Sequence, residues 1–238
     1  MPCLLYANHI SVSDELSVRV PTVGEIIDNE DAFNDVICSI VSTPYELMVP
    51  LDDAGIDFTK LSCFDVFMML FKRLQELDTS ILFGDFDFSG FRPAQDTETG
   101  DIFLYDDRTD TKLDKSAHSR LCVILRKLFN IQANDKKPGN EEARQYMLRR
   151  ARAKHKRNKR KTDDCSQLES LIIALVNTEQ FKYDYSSVRS LSIYQFYASL
   201  KQISHKIRFD NTMIGYYSGS IKFDDISQDD KSWILLPK

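Results

Sequence analysis

Glycine and proline are scarce, at eight and seven residues in a chain of 238. That excludes collagen-like and loop-dominated classes, which are rich in one or both. No run of 18 or more apolar residues occurs, so no segment reads as a membrane-spanning helix. The opening, MPCLLYANHI, has no basic stretch and only a short apolar core. It does not read as a secretory signal, and the chain is expected to stay in the cytosol. The five cysteines, Cys3, Cys38, Cys63, Cys122 and Cys165, are isolated, odd in number and never spaced C-x-x-C. They read as reduced thiols, several of them inside apolar runs. The four histidines, His9, His118, His155 and His205, are as scattered, so no zinc-ligand spacing and no Cys–His pair stands out. Phosphate-binding glycine loops, G-x-S-x-G and H-E-x-x-H are also missing. A protein without catalytic residues, metal or cofactor is the expectation.

Apolar residues are not lacking. They make up 42% of the chain, against 28% charged, which is enough to build a core. The length fits one large domain or two small ones. Charge is spread unevenly. Residues 136–161 hold 12 basic residues and two acids, Glu141 and Glu142, a net of +10. The remainder holds 19 basic and 34 acidic residues, a net of −15. An acidic body thus carries one basic arm.

Read along the chain, Ile10 and Val12, then Leu16, Val18 and Val20, alternate with polar residues around Ser13-Asp14-Glu15, which predicts a short β-hairpin. Thr22 and Glu25 form a capping-box pattern. Phe33, Val36, Ile37, Ile40 and Val41 recur at helical spacing. Pro50 and Gly55 bracket an expected loop. Thr59 or Ser62 caps a helix whose apolar face is Phe64, Phe67, Met68, Phe71 and Leu74. Residues 80–107 read as strands, with DTETG as a hairpin turn. Asp114 or Ser116 caps a further helix with Leu121, Ile124, Leu125 and Leu128 inward.

Pro138 and Gly139 mark a linker, and Asn140 can cap the helix that follows. That helix has an apolar stripe at Ala143, Tyr146 and Met147, running out near Ala151. Asp163 or Asp164 caps the next helix. A last helix has Tyr194, Tyr197, Leu200 and Ile203 or Ile207 on one face, and the tail reads as turn and strand. The predicted class is α+β, mostly helical, with a short N-terminal β-hairpin and a central β-hairpin insertion. Residues 1–135 form the expected N-terminal α+β lobe. Residues 136–238 form a mostly helical lobe that begins with the basic arm, 136–161.

Two acidic strings invite chemistry. In DFDFSGFRPAQD, Asp85, Asp87, Ser89, Gly90 and Asp96 fall at calcium-loop positions, but the last is not Glu and neither flank reads as a helix. The same string, after SILFG, resembles the D-x-D-x-T motif of haloacid-dehalogenase-type phosphotransferases, with Ser89 in place of Thr. The alternating βαβ pattern of that family is not visible, and a half-buried strand explains the string better. In LDDAGID, a turn followed by a cap accounts for Asp52, Asp53 and Asp57.

Nine of the thirteen residues from Arg149 to Lys161 are Lys or Arg. Such a cluster gains counterion release on nucleic acid, yet it has no interleaved aromatic ring and the body would repel a polyanion. Nuclear-import signals look similar. The remaining readings are a contact with an acidic protein surface, either this chain's own or a partner's, and an uncommitted solvated helix.

VRVPTVGEIIDNEDAF (18–33), LMVPLDDAGIDFTKL (47–61), the arginine-rich helix, LSIYQFYASLKQI (191–203) and GYYSG (215–219) together resemble tail-module proteins of bacteriophages and prophages from Gram-positive hosts. The resemblance implies a non-enzymatic baseplate-hub component or tail assembly chaperone. It would act in the host cytoplasm through protein–protein contacts with the tape measure, the hub or itself, with incorporation in the tail left open. Nucleic acid is the alternative partner, and no membrane is expected. The candidate partner-binding residues are Arg149, Arg150, Arg152, Lys156, Arg157 and Arg160. Tyr194, Phe196 and Tyr197 follow them, with core packing as the competing reading.

Overall fold

The alternation between residues 10 and 20 folds as an antiparallel hairpin. Strands β1 (His9–Ser11) and β2 (Ser17–Arg19) pair with Ile10 opposite Val18. Ile10, Val12, Leu16, Val18 and Val20 are all buried, as a period of two requires when one face meets the core. The computed structural model describes residues 4–158 and 166–235. Two compact units divide the chain: Met1–Pro21 with Glu25–Ser166, and Thr22–Gly24 with Gln167–Lys238.

Helix α1 (Val23–Asp28) begins one residue after Thr22. Helix α2 (Glu30–Val41) buries Phe33, Val36, Ile37, Ile40 and Val41, the face its spacing predicts. The expected loop at Pro50 is instead helix α3 (Met48–Asp53). Pro50 lies in its first turn, where a missing N–H breaks no helical hydrogen bond. The helix stops at a left-handed glycine, Gly55 at φ 73°. Ile56 N–H donates to Leu51 O at 2.8 Å and Gly55 N–H to Asp52 O at 3.0 Å, the paired bonds of a Schellman stop.

Helix α4 (Cys63–Glu76) opens on a full capping box between Ser62 and Asp65 and buries Phe64, Val66, Phe67, Phe71 and Leu74. Met68, expected on that face, is only half-buried. The strand expected at SILFG is a single helical turn, α5 (Ser80–Phe83). Its neighbours Leu82 and Phe83 are both buried, which a strand would have sent to opposite faces.

The central β insertion is a three-stranded antiparallel sheet of β3 (Arg92–Gln95), β4 (Ile102–Asp106) and β5 (Thr111–Leu113). The predicted turn between β3 and β4 is there. The Asp96 carboxylate accepts from the N–H groups of Glu98 at 2.9 Å and Thr99 at 3.1 Å.

Helix α6 (Lys115–Leu128) is capped by Asp114. Its residues His118, Cys122 and Arg126, at i, i+4 and i+8, meet the last carbonyls of α2. Those oxygens have no partner within their own helix. Arg126 Nη2 donates to Val41 O at 2.7 Å, and His118 Nε2 lies 2.9 Å from Ile40 O. Helix α7 (Glu141–Asn158) is the basic arm. It groups with the first compact unit.

In the second unit, α8 (Gln167–Val176) buries Leu168, Ile172 and Leu175. The cap expected at Asp163 or Asp164 lies outside the described residues. Helix α9 (Ile193–Tyr217) opens on a capping box between Ser192 and Gln195. It continues through Thr212–Tyr217, where turn and strand were expected. No helix-breaking proline interrupts that stretch, and its one glycine, Gly215, costs only about 1 kcal/mol. Beyond it, the described tail holds 3-10 turns and no strand. His205 fastens it: Arg208 can only donate, so His205 Nδ1 accepts at 3.2 Å and Nε2–H donates to Ser232 O at 2.8 Å. The architecture is α+β and mostly helical.

Candidate functional site

The basic helix α7 starts where Asn140 Oδ1 accepts the Ala143 N–H at 2.8 Å. Its inner stripe is Arg144, Leu148 and Arg152, again i, i+4 and i+8. Leu148 is 1% exposed and joins Tyr45, Met48, Leu51 and Phe58 in one apolar cluster, flanked by Met147 and Ala151. Complete burial of a leucine contributes about 1.5–3 kcal/mol, so this one residue anchors the helix. Tyr146, expected on the apolar stripe, is 59% exposed. It lies two residues from Leu148, roughly 200° around the helix.

The two arginines of the stripe meet the LDDAGID string. Arg144 Nη2 lies 3.2 Å from Asp52, and Arg152 Nη2 lies 2.9 Å from Asp52 and 2.6 Å from Asp53. Arg144 also contacts Glu141 at 3.0 Å and faces the Phe58 ring. Asp52 and Asp53 stand in the last turn of α3, where the helix dipole disfavours negative charge. The two guanidinium groups offset that. Asp57 does cap a turn, as expected, accepting from Thr59 Oγ1 at 2.7 Å and Thr59 N–H at 3.1 Å. Those bonds first, and Arg144 after them, hold its carboxyl below the usual carboxylate range.

The expected site residues therefore separate. Arg152 is held by the protein's own body. Arg149, Arg150, Lys156 and Arg157 are exposed, and with Lys154 they meet no carboxylate among the described residues. Arg160 lies outside the described residues. Phe196 is 0% exposed and packs its ring 5.6 Å from that of Tyr197, so it belongs to the core and cannot face a partner. Tyr194 and Tyr197 are half-buried on the same helix.

Residues 150, 154 and 157 line one side of a groove of about 750 Å³. Lys136 joins Arg150, Lys154 and Arg157 at its rim, and Met48 and Met147 contribute apolar surface. Sequence reading missed Arg144, Leu148, Lys136 and Lys154. The signal for the inner stripe was the i, i+4, i+8 spacing of Arg, Leu and Arg, which the high charge density hid.

The second acidic string is a structural knot. Asp87 accepts from Ser89 N–H at 2.8 Å and Ser89 Oγ at 2.6 Å, and Arg108 joins it to Asp106. A Cβ at Gly90 would overlap the ends of the Arg108 and Asp106 side chains, so a larger residue there must displace that ion pair. The preceding helical turn and the purely antiparallel sheets give Asp85 and Asp87 neither the strand nor the parallel scaffold of the phosphotransferase motif. No three His, Cys, Asp or Glu side chains converge as a metal site among the described residues.

One Cys–His pair escaped the sequence reading. Cys122 Sγ lies 3.3 Å from His118 Nε2, both buried. It is not arranged as a nucleophile and base. The ring nitrogen and the thiol converge on the same acceptor, Ile40 O, and burial pushes the thiol up to about 11. Cys38, Cys63 and Cys122 are free thiols.

No helix among the described residues is long and apolar enough to cross a membrane. Residues 156–234 match the family model described as the YomV second domain, a phage- and prophage-associated family in which YomV is a Bacillus prophage protein. The match covers about a third of the chain, and most of it falls within the second unit. No curated protein and no solved structure matches the chain.

Proposed function

We propose that this protein is a non-enzymatic assembly or structural component of a phage tail or baseplate, acting through protein–protein contacts made by α7. The observation that carries this reading is the docking of α7 on Asp52 and Asp53. The helix already recognises carboxylates on a folded protein surface, and it keeps five further cations in solvent. The phage-associated family of the C-terminal region supports the setting, as does the resemblance carried by residues 18–33, 47–61, 191–203 and 215–219. On this reading the partner is another tail protein, such as the tape measure or hub, or a second copy, met in the host cytoplasm.

Tagged protein from phage-producing cells should recover tail proteins. Reversing the charge of Arg149, Arg150, Lys156 and Arg157 should abolish that recovery. Recovery of ribosomal or polymerase components alone would count against the reading. The same exposed cations favour a second reading, nucleic-acid binding through phosphate contacts. It requires that the intact protein shift DNA or RNA at low salt, with affinity falling steeply as salt rises.

A further inference from the structure

We infer that the groove beside α7 is a docking site for a short acidic segment of a partner protein that carries apolar side chains among its carboxylates. This deepens the assembly reading and rests on it. Four cations, Lys136, Arg150, Lys154 and Arg157, line the groove, and no carboxylate does among the described residues. Arg150, Lys154 and Arg157 stand at i, i+4 and i+7, one face of α7 over about 10 Å of helix axis. That length matches about three residues of extended chain or two helical turns. Met48 and Met147 add apolar surface that adapts to varied side chains.

The opposite side of α7 displays the same chemistry already satisfied. There Leu51 is buried against Leu148 while its neighbours Asp52 and Asp53 pair with Arg144 and Arg152. The groove repeats the combination of cations and apolar surface, and no described segment of the chain supplies carboxylates to it. Nucleic acid fits it less well. None of the described lining residues is aromatic, so they offer no ring for a base to stack on, and the methionines would face sugar and phosphate.

The test uses the full chain and three labelled probes at physiological salt. One is a twelve-residue peptide alternating Asp with Leu. The second replaces each Leu by Ser at equal charge. The third is a duplex oligonucleotide. The Leu peptide should bind, and the Ser peptide should bind about tenfold more weakly, because the lost apolar contact is worth about one decade in affinity. The double variant Lys154→Glu, Arg157→Glu should weaken the Leu peptide by more than tenfold, with an unchanged melting curve because both side chains are exposed. Lys72→Glu, an exposed position on α4 outside the groove, should change it less than twofold. Equal binding of the two peptides, tighter binding of the oligonucleotide, or an equal loss with Lys72→Glu would each overturn the groove proposal. If the double variant still recovers tail proteins from phage-producing cells, the assembly reading stands and the groove proposal falls.

Discussion

The inner and outer faces of α7 hold the same residue types and behave differently. On the inner face, Arg144 and Arg152 flank Leu148 and close on three aspartates. On the outer face, Arg149, Arg150, Lys154, Lys156 and Arg157 extend into solvent. A charge run therefore says little about what each charge does. What separates the faces is one buried leucine, which sets the rotation of the helix and decides which arginines reach α3. Leu148→Ala should thus give the largest effect, a loss of about 2–5 kcal/mol from the removed transfer energy and the cavity left behind. Urea denaturation checks this. A loss within 0.5 kcal/mol would mean that α7 does not depend on this anchor.

Removing the acidic side of the contact should cost less. Asp52 is 23% exposed at its side chain and Arg144 21%, so neither is well solvated. Asp52→Ala leaves two guanidinium groups short of an acceptor and should destabilise by about 1–3 kcal/mol. A double-mutant cycle with Arg144→Ala should give a positive coupling between the two, since each loses its partner with either change. Arg152 is more exposed, at 46%. Its replacement by Ala should cost less than Asp52→Ala, and the difference should shrink in high salt. Independent, additive losses at positions 52 and 144 would break the claim that one cluster holds the inner face.

The aspartates also carry a pH signature. The carboxyl of Asp57 is held below its ordinary value of 3.8 by the Thr59 hydroxyl, the Thr59 N–H and then Arg144. A depressed carboxylate contributes stability that is present above its unfolded value and is lost as pH falls through the lower folded value. The contact should therefore be intact at neutral pH and weaken only below about pH 4. Thr59→Val removes the largest of these influences and should move the Asp57 titration upward, read by carbon-detected NMR. An unmoved titration would assign the depression elsewhere.

Much of the fold was legible because local signals and burial agreed. The hairpin at 9–19, the capped helices at Ser62 and Asp114, and the DTETG turn each joined a cap or turn residue to the right apolar period. The failures have several causes, from helix positions that tolerate an unusual residue to partners far away in sequence. Pro50 looked like a break, yet it sits where a helix tolerates proline. SILFG looked like a strand, yet two adjacent side chains are buried on one helical turn. Tyr146 looked inward and Leu148 was passed over. In a helix with so few apolar residues, the periodicity alone did not fix which side meets the body. The aspartates at 52 and 53 read as a turn because their partners lie about 90–100 residues away. Cys122 and His118 looked unrelated until α6 placed them one turn apart against α2.

The smallest expected effect sharpens the contrast most. Arg149 directly follows Leu148 of the inner stripe, yet about 100° further around the helix it faces solvent. Arg149→Ala should leave stability within about 0.5 kcal/mol, because an exposed cation with no partner among the described residues has little folded-state contact to lose. Relief of repulsion from neighbouring cations would even favour a slight gain, which salt would erase. The same measurement on Arg152→Ala supplies the comparison at equal side-chain size and equal charge change. If Arg149→Ala destabilised as much as Arg152→Ala, helix propensity or net charge would explain both. The division of α7 into a docked face and a free face would then lose its energetic basis.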